Sequence, residues 1–190
     1  MFGSFNGSIT VKSSIFTESA ASFGCCLYCN NVSNSFQYKI YKEKSKVLWR
    51  CCINFIRKTL FIKIHNSYFI HNVAMTKRGG SIWIEYSRLS IVNSSFHNNS
   101  AYTDGGAISC AALCIITVSH SNFTNNKAVV HNSSGGALFI ERSTTIIFES
   151  CNFISSAFLG GALFLFTANL NAKATIHLQT IQQVLSLIHI

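Results

Sequence analysis

The sequence contains no proline among its 190 residues and is poor in acidic side chains. Asp104 and five glutamates stand against 15 lysines and arginines, so the net charge is +9. Charged residues make up only 11% of the chain, and apolar runs such as 111–116 are far too short to span a bilayer. Such a shortage of carboxylates argues against calcium sites, while a hydrophobic fraction of 48% provides for the core of one domain.

Several targeting and binding signals are also missing. No arginine–aromatic alternation or known nucleic-acid motif accompanies the positive charge, so we expect no nucleic-acid partner. Residues 1–6 lack the basic start and apolar core of a secretory signal. Residues 185–190 look like the translation of a transposase library adapter, and we interpret them as a sequencing artefact at the end of a fragment. Membrane attachment is then expected only through parts not present in this chain.

What the chain does contain is an internal repeat. Gly-Gly occurs four times, preceded three times by Phe-x-x-Asn-x-Ala and once by a shorter variant. The anchoring phenylalanines are 27, 27 and 30 residues apart. A period of this length indicates units that bury their apolar face only by stacking on one another. The repeated positions are Phe69, Asn72, Gly79, Gly80, Phe96, Asn99, Gly105, Gly106, Phe123, Asn126, Gly135, Gly136, Phe153, Gly160 and Gly161.

Short β-branched and aromatic runs bounded by Ser, Asn and Gly predict strands, and helical periodicity is nearly absent. The pattern therefore predicts an all-β fold, a parallel β-helix of about five to six coils that climbs ~4.8 Å per coil. In this arrangement the phenylalanines form an interior column and the asparagines a ladder of amides. The glycine pairs suit a corner with positive φ or a close approach of the neighbouring coil.

We predict one β-helix domain over residues 1–184. It divides into a worn coil at 1–29, a degenerate coil with a basic loop at 30–58, well-formed coils at 59–165 and an incomplete coil at 166–184. The predicted degenerate coil at 30–58 rests on the position of Phe16, which lies 53 residues before Phe69, a separation close to two periods. The basic loop holds Lys39, Lys42, Lys44 and Lys46.

Cysteines and glycosylation sequons leave alternatives open. The Cys26-x-x-Cys29 spacing has no second pair at zinc-site distance, so we expect no metal and interpret the eight cysteines mainly as buried replacements for Ala and Ile. Disulfides between adjacent coils remain open. Of the Asn-x-Ser/Thr sequons, Asn132 is the best candidate for glycosylation because the variable loop before Gly135 should face solvent. The other five sequons are Asn6, Asn31, Asn93, Asn98 and Asn122.

The alternation of Phe-x-x-Asn with Gly-Gly-Ala-Ile or Gly-Gly-Ala-Leu resembles the repeats of chlamydial polymorphic outer-membrane proteins and of similar surface proteins predicted in trichomonads and other protists. The resemblance covers residues 60–165 well and 9–29 in part. It implies a right-handed parallel β-helix at the cell surface or outside the cell, with adhesion to a host-cell or matrix surface as the usual role. Cysteines, sequons and the Asn-rich composition favour the protist version.

Two functions follow as hypotheses. The first is a non-catalytic adhesin or structural stalk without a cofactor, for which an exposed stripe containing Trp83, Tyr86 and Tyr102 would mark a binding face. The second is a β-helix carbohydrate enzyme resembling pectate lyases. Glu85 and Glu141 each lie five residues after a Gly-Gly, and we expect them on one face about 10 Å apart. That separation is wide even for an inverting pair, so we predict no catalytic residues.

Overall fold

A computed structural model describes residues 7–21, 27–30, 52–54, 60–142, 145–156, 161–166 and 188–189. Every regular element in this part of the chain is a strand. The strands are β1 (Gly7–Lys12), β2 (Ile15–Thr17), β3 (Ala20–Ala21), β4 (Leu27–Asn30), β5 (Cys52–Asn54), β6 (Leu60–His65), β7 (Tyr68–Ile70), β8 (Val73–Ala74), β9 (Ile82–Ile84), β10 (Ser87–Val92), β11 (Ser95–His97), β12 (Ser100–Ala101), β13 (Ile108–Cys110), β14 (Ile115–Ser119), β15 (Asn122–Ala128), β16 (Leu138–Glu141), β17 (Thr145–Glu149), β18 (Asn152–Ser156), β19 (Leu163–Phe166) and β20 (Ile188–His189).

The strands form three parallel sheets that run the length of the stack. Sheet A has the order β1-β6-β10-β14-β17, and sheet B contains β2, β7, β11, β15 and β18 with the short strands β3, β8 and β12. Sheet C has the order β20-β19-β16-β13-β9-β4-β5. The result is a β-solenoid of about four turns, which confirms the predicted fold class with fewer coils than the five to six expected.

The register of the sheets shows the period directly. Leu89 pairs with Ile62 across β10 and β6, and Phe96 pairs with Phe69 across β11 and β7, in both cases one period of the repeat apart. From β13 to β16 the step along the chain is longer, since Ile108 pairs with Leu138. The extra residues lie in the turn after β15, so a loop absorbs the insertion and the sheets remain in register.

Sheet A alternates between core and surface as a sheet with one buried face should. Its inward side chains are Ile9, Val11, Ile62, Ile64, Leu89, Ile91, Ile116, Val118, Ile146 and Phe148, all buried. Sheet C differs, because the middle residues of β9, β13 and β16 point away from the core and are buried as well. These are Trp83, Ser109 and Phe139. Both faces of sheet C are therefore covered.

One interpretation of the amino-terminal third is corrected. β1 pairs directly with β6 and β2 directly with β7, so Phe16 and Phe69 are one coil step apart and no coil lies between them. The wide spacing of these two phenylalanines therefore does not mark an additional coil between them. Of the predicted degenerate coil at 30–58 the structure describes Asn30 and β5, which pairs with β4 at the outer edge of sheet C. The remainder lies outside the described residues, as does most of the predicted incomplete coil at 166–184.

Candidate functional site

The asparagines of the repeat form a buried ladder. Asn72 Nδ2 donates to Asn99 Oδ1, and Asn99 Nδ2 donates to Asn126 Oδ1, each at 2.9 Å. Each Oδ1 also accepts the backbone N–H of the preceding asparagine, and Asn99 Nδ2 further donates to the carbonyl of Phe69 at 2.9 Å. All three asparagines are fully buried. The amides thus satisfy backbone groups at a bend where the sheet hydrogen bonds are interrupted.

The phenylalanines of the repeat stack face to face beside this ladder. Ring centroids of successive coils are 4.6 to 4.9 Å apart, and the planes are within 16° of parallel. The edge of Phe148 packs on the last ring, Phe153, at 5.3 Å. The column runs from Phe16 through Phe69, Phe96 and Phe123 to Phe153.

Besides the asparagine ladder, the structure contains a second buried polar column, made of serines, that was not predicted from the sequence. A buried serine precedes the phenylalanine by two positions in four coils, and its Oγ donates to the carbonyl two residues earlier at 2.8 to 2.9 Å. The same Oγ accepts the N–H of the serine in the preceding coil. The members are Ser14, Ser67, Ser94 and Ser121, with Cys151 in the fifth position. Their constant offset from the phenylalanine is visible in the sequence and was the signal available.

The two glycines of each pair meet different demands. Gly79, Gly105 and Gly135 have φ between +63° and +69°. Gly80 and Gly106, the second glycines of the first two pairs, have an ordinary φ, but a Cβ on Gly80 would collide with the carbonyl oxygen of Gly106 in the next coil. Both reasons proposed from sequence are therefore present, one at each residue. Gly161 also has positive φ, whereas Gly160 lies outside the described residues.

Two acidic residues beside sheet C contact one arginine. Arg78 Nε contacts Asp104 Oδ2 at 2.9 Å, and its Nη1 contacts Glu141 Oε2 at 3.1 Å. The guanidinium also lies over the ring of Phe139, 4.7 Å from its centroid. Burial raises the pKa of Glu85 above its ordinary value, and the charge of Arg78 opposes that rise.

This arrangement bears on the enzymatic hypothesis. Glu85 follows Ile84 and Glu141 follows Ile140, and the register places Cys110 between those two isoleucines. The two glutamates are therefore two strands apart in one column, about 10 Å by strand spacing. Glu141 is already paired with Arg78, so this carboxylate is part of an ion-pair network of the fold.

The cysteines take roles that the sequence left open. Cys110 and Cys114 form a disulfide across the corner between β13 and β14, within one turn of chain and not between adjacent coils. Cys151 is free and buried, and its thiol donates to the carbonyls of Val118 and Glu149 at 3.3 Å. Burial raises the pKa of this thiol. Among the described residues no three His, Cys, Asp or Glu side chains converge as metal ligands.

The aromatic residues singled out for binding do not form one stripe. Trp83 is only 8% exposed, whereas Tyr86 and Tyr102 are 43% and 50% exposed at separate corners of the coil.

Among the described sequons, Asn93, Asn122 and Asn132 are exposed and Asn98 is half-buried. Asn132 lies in the turn between β15 and β16; Asn6 and Asn31 lie outside the described residues.

Two stretches of the chain match the family model of the Chlamydia polymorphic membrane protein (Chlamydia_PMP) repeat, residues 93–111 and 120–141. Each stretch begins at the corner after a sheet A strand and ends with a sheet C strand, so it contains the phenylalanine, the ladder asparagine and the glycine pair. The chain is a polymorphic-membrane-protein-like repeat β-helix. No curated protein and no solved structure gives a significant match to it.

The polymorphic-membrane-protein-like repeat suggests a surface-associated repeat protein. Within the described residues, no helix has the length and apolar character needed to cross a membrane. The side chains that recur in every coil point inward and serve the stack itself. A binding function must therefore use the outward residues that differ from coil to coil.

Proposed function

We propose that this chain is a non-catalytic segment of a cell-surface or secreted protein, and that it acts in adhesion or as a structural stalk. The observation that carries this proposal is the match of residues 93–111 and 120–141 to the polymorphic membrane protein repeat, in a chain whose repeated phenylalanines and asparagines are used to stack coils. A rigid stack of this kind presents a long, regular outer surface, which suits contact with another surface.

The disulfide supports a location outside the reducing cytoplasm. Cys110 and Cys114 are both fully buried and bonded to each other. Disulfides form and persist in secreted and cell-surface proteins, and they are rare in proteins of the cytosol. The cell-surface or extracellular location follows as part of the same proposal.

The absence of catalysis is also part of the proposal. A paired-carboxylate mechanism needs one free base and one acid across the bond to be cleaved. Here Glu141 and Asp104 both form ion pairs with Arg78, and Glu85 is two strands away from Glu141. These ion pairs favour a structural use of the acidic residues.

The test is adhesion by the isolated chain. Fluorescent beads coated with the 190-residue protein are added to cultured epithelial cells, and bound beads are counted with and without excess soluble chain. Adhesion predicts saturable binding that the soluble chain competes away and that heat-denatured protein does not reproduce. If the beads bind no more than albumin-coated beads do, the adhesive function is wrong and the structural stalk is the function that stands.

A further inference from the structure

The outer face of sheet A carries a diagonal line of positive charge. Lys12, Lys63 and Arg88 lie on β1, β6 and β10, and all three are exposed. The register pairs Lys12 with His65 and Arg88 with Phe61. Each successive cation is therefore one strand higher in the stack and two residues closer to the start of its strand, so the three side chains fall on one straight line.

The spacing of this line follows from sheet geometry. One strand step of ~4.8 Å and two residues of ~3.3 Å each place neighbouring cations about 8 Å apart, and the outer two about 16 Å apart. The ion pairs of the described residues involve Arg78 and Arg142, and none of the three cations takes part in them. The carboxylate on this face, Glu149, is four strands above Lys12 in the same column. Among the described outward side chains of sheet A, no other carboxylate lies near the line.

The surroundings of the line define its chemistry further. Phe61 and His65 are half-buried beside it, and Lys63 Nζ lies 5.0 Å from the centroid of the Phe61 ring. The other outward positions near the cations carry hydroxyl groups on Ser8, Thr10, Ser90 and Thr117 and aliphatic side chains on Val92 and Ile115. Such a flat surface offers cations to anionic groups, hydroxyls to sugar hydroxyls and one ring to the apolar face of a sugar.

We propose that this basic face, defined as Lys12, Phe61, Lys63, His65 and Arg88, binds a linear acidic polysaccharide. Successive sulfates or carboxylates of the polymer lie on the three cations, and the intervening sugars lie on Phe61 and the hydroxyls. This inference rests on the proposed adhesive function, for which it names the class of partner. A nucleic acid fits less well, because single strands bind by stacking successive bases on aromatic rings and Phe61 is the one phenylalanine, tyrosine or tryptophan on the described outer face of sheet A.

The experiment compares three variants that lose the same charge. The face variant carries Lys12→Gln, Lys63→Gln and Arg88→Gln. One control carries Lys77→Gln, Lys127→Gln and Arg142→Gln, away from this face. The other carries Lys39→Gln, Lys42→Gln and Lys44→Gln, in the basic stretch of the sequence. Binding of each full chain to immobilised heparin, to polygalacturonate and to single-stranded DNA is measured at fixed salt, after circular dichroism has shown equal melting.

The face variant should bind heparin or polygalacturonate about 3- to 100-fold more weakly than the unchanged chain, since it loses three exposed charge pairs that each contribute a factor of about 1.5 to 5. Both controls should change binding less than about 3-fold. If the face variant binds heparin more weakly but polygalacturonate as before, sulfate is the recognised group. If it binds both polymers more weakly, the face recognises anionic sugars in general. Equal losses in all three variants, or DNA binding as tight as heparin binding, would overturn the proposal.

The cell assay separates this inference from the proposed function. Beads coated with the face variant should lose adhesion, and beads coated with either control should keep it. If the face variant adheres as well as the unchanged chain, adhesion stands and the basic face is not its site. If the unchanged chain binds heparin through the basic face but adheres to no cell, the polysaccharide site stands and the adhesive function does not.

Discussion

Asn72, Asn99 and Asn126 each combine two donors with an acceptor at a fully buried position. At the residue scale this explains why the repeat keeps asparagine. The amide nitrogen bonds both the next amide and a phenylalanine carbonyl, while the oxygen accepts from the previous coil. Aspartate lacks the donors and serine lacks the reach, so one residue type meets the whole requirement.

Replacement of Asn99 by alanine should lower the free energy of unfolding by about 3 kcal/mol. The change leaves the N–H of Asn72 and the carbonyl of Phe69 without these partners in the core, and each such group costs about 1 to 3 kcal/mol. Urea denaturation followed by circular dichroism measures the loss. The control is Asn122→Ser at an exposed position of β15, which should change stability by less than about 0.5 kcal/mol. Equal effects of the two substitutions would contradict the ladder.

Gly106→Val should abolish soluble folded protein, and Gly106→Ala should destabilise it by about 3 kcal/mol or more. A Cβ at this position meets the carbonyl oxygen of Gly136 and the backbone nitrogen of Lys127, both in the next coil, so the coils would have to separate. Expression and the β signal in circular dichroism report the result. Asn132→Gly, in an exposed turn with φ of +68°, should be tolerated. A cooperative melt of Gly106→Val would argue against the close approach.

Glu85→Gln should raise the melting temperature at neutral pH. Burial raises the pKa of Glu85 above its ordinary value of 4.5, so the folded state holds its proton more tightly than the unfolded state. The stabilisation from this proton is complete below pH 4.5 and is lost as the pH rises through the folded pKa. The gain from glutamine should therefore be present at pH 7 and disappear in melts at pH 4. A gain that is equal at both values would contradict the desolvation of this carboxyl.

At the scale of elements, the corners of the coil are made by single residues in the left-handed region. Asn66, Asn93 and His120 occupy it between sheet A and sheet B, and Leu113 occupies it between sheet C and sheet A. Asparagine tolerates this conformation and leucine does not favour it. The corner of Leu113 is the one that the disulfide spans, which fixes β13 relative to β14 where the local sequence supports the turn least.

Reduction of the disulfide should lower the stability of the protein by about 2 kcal/mol, the chain-entropy estimate for a loop of this size. Thermal melts with and without a phosphine reductant measure the difference. A Cys110→Ala, Cys114→Ala variant should melt at one temperature in both conditions, which separates this bond from any other effect of the reductant. Identical melts of the unchanged chain with and without reductant would show that the bond adds no stability.

At the scale of the whole molecule, each coil is an interchangeable layer. The same hydrogen bonds recur at an offset of 27 residues through the serine column and the asparagine ladder. Neighbouring coils supply nearly all contacts of a given coil, so stability depends on how many layers are stacked. Removal of one complete layer should therefore keep the fold, whereas removal of part of a layer should not.

Deletion of residues 94–120 tests this directly. The deletion joins Asn93 to Ser121, so Asn93 takes the place of His120 at the corner before Ser121. It also places Asn126 next to Asn72 in the ladder and Phe123 next to Phe69 in the ring column. We expect a folded protein of lower stability, with a β spectrum and a cooperative urea transition. Deletion of residues 94–106 shifts every later strand out of register and should give an unfolded chain. Folding of both deletions would refute the layered description.

The sequence by itself determined the repeat, the strand content and the stacking of the repeated phenylalanines and asparagines. Phe-x-x-Asn and Gly-Gly recur because each interior position packs against the equivalent position of the neighbouring coils. Every coil therefore requires the same size, shape and hydrogen-bonding groups there, and the same residue type appears in each repeat. The serine column obeys the same logic, and its constant distance from the phenylalanine made it predictable in principle. Surface positions carry no such repetition, so the binding face left no pattern of this kind.

Only the tertiary structure decided which coils are neighbours and which side chains meet outside the core. The direct pairing of β1 with β6 cannot be derived from the spacing of Phe16 and Phe69, because a spacing close to two periods also fits an additional coil between them. The contacts of Arg78 with Asp104 and Glu141, and the diagonal of Lys12, Lys63 and Arg88, join residues of different coils. Such contacts depend on strand register, which is set by packing over the whole stack.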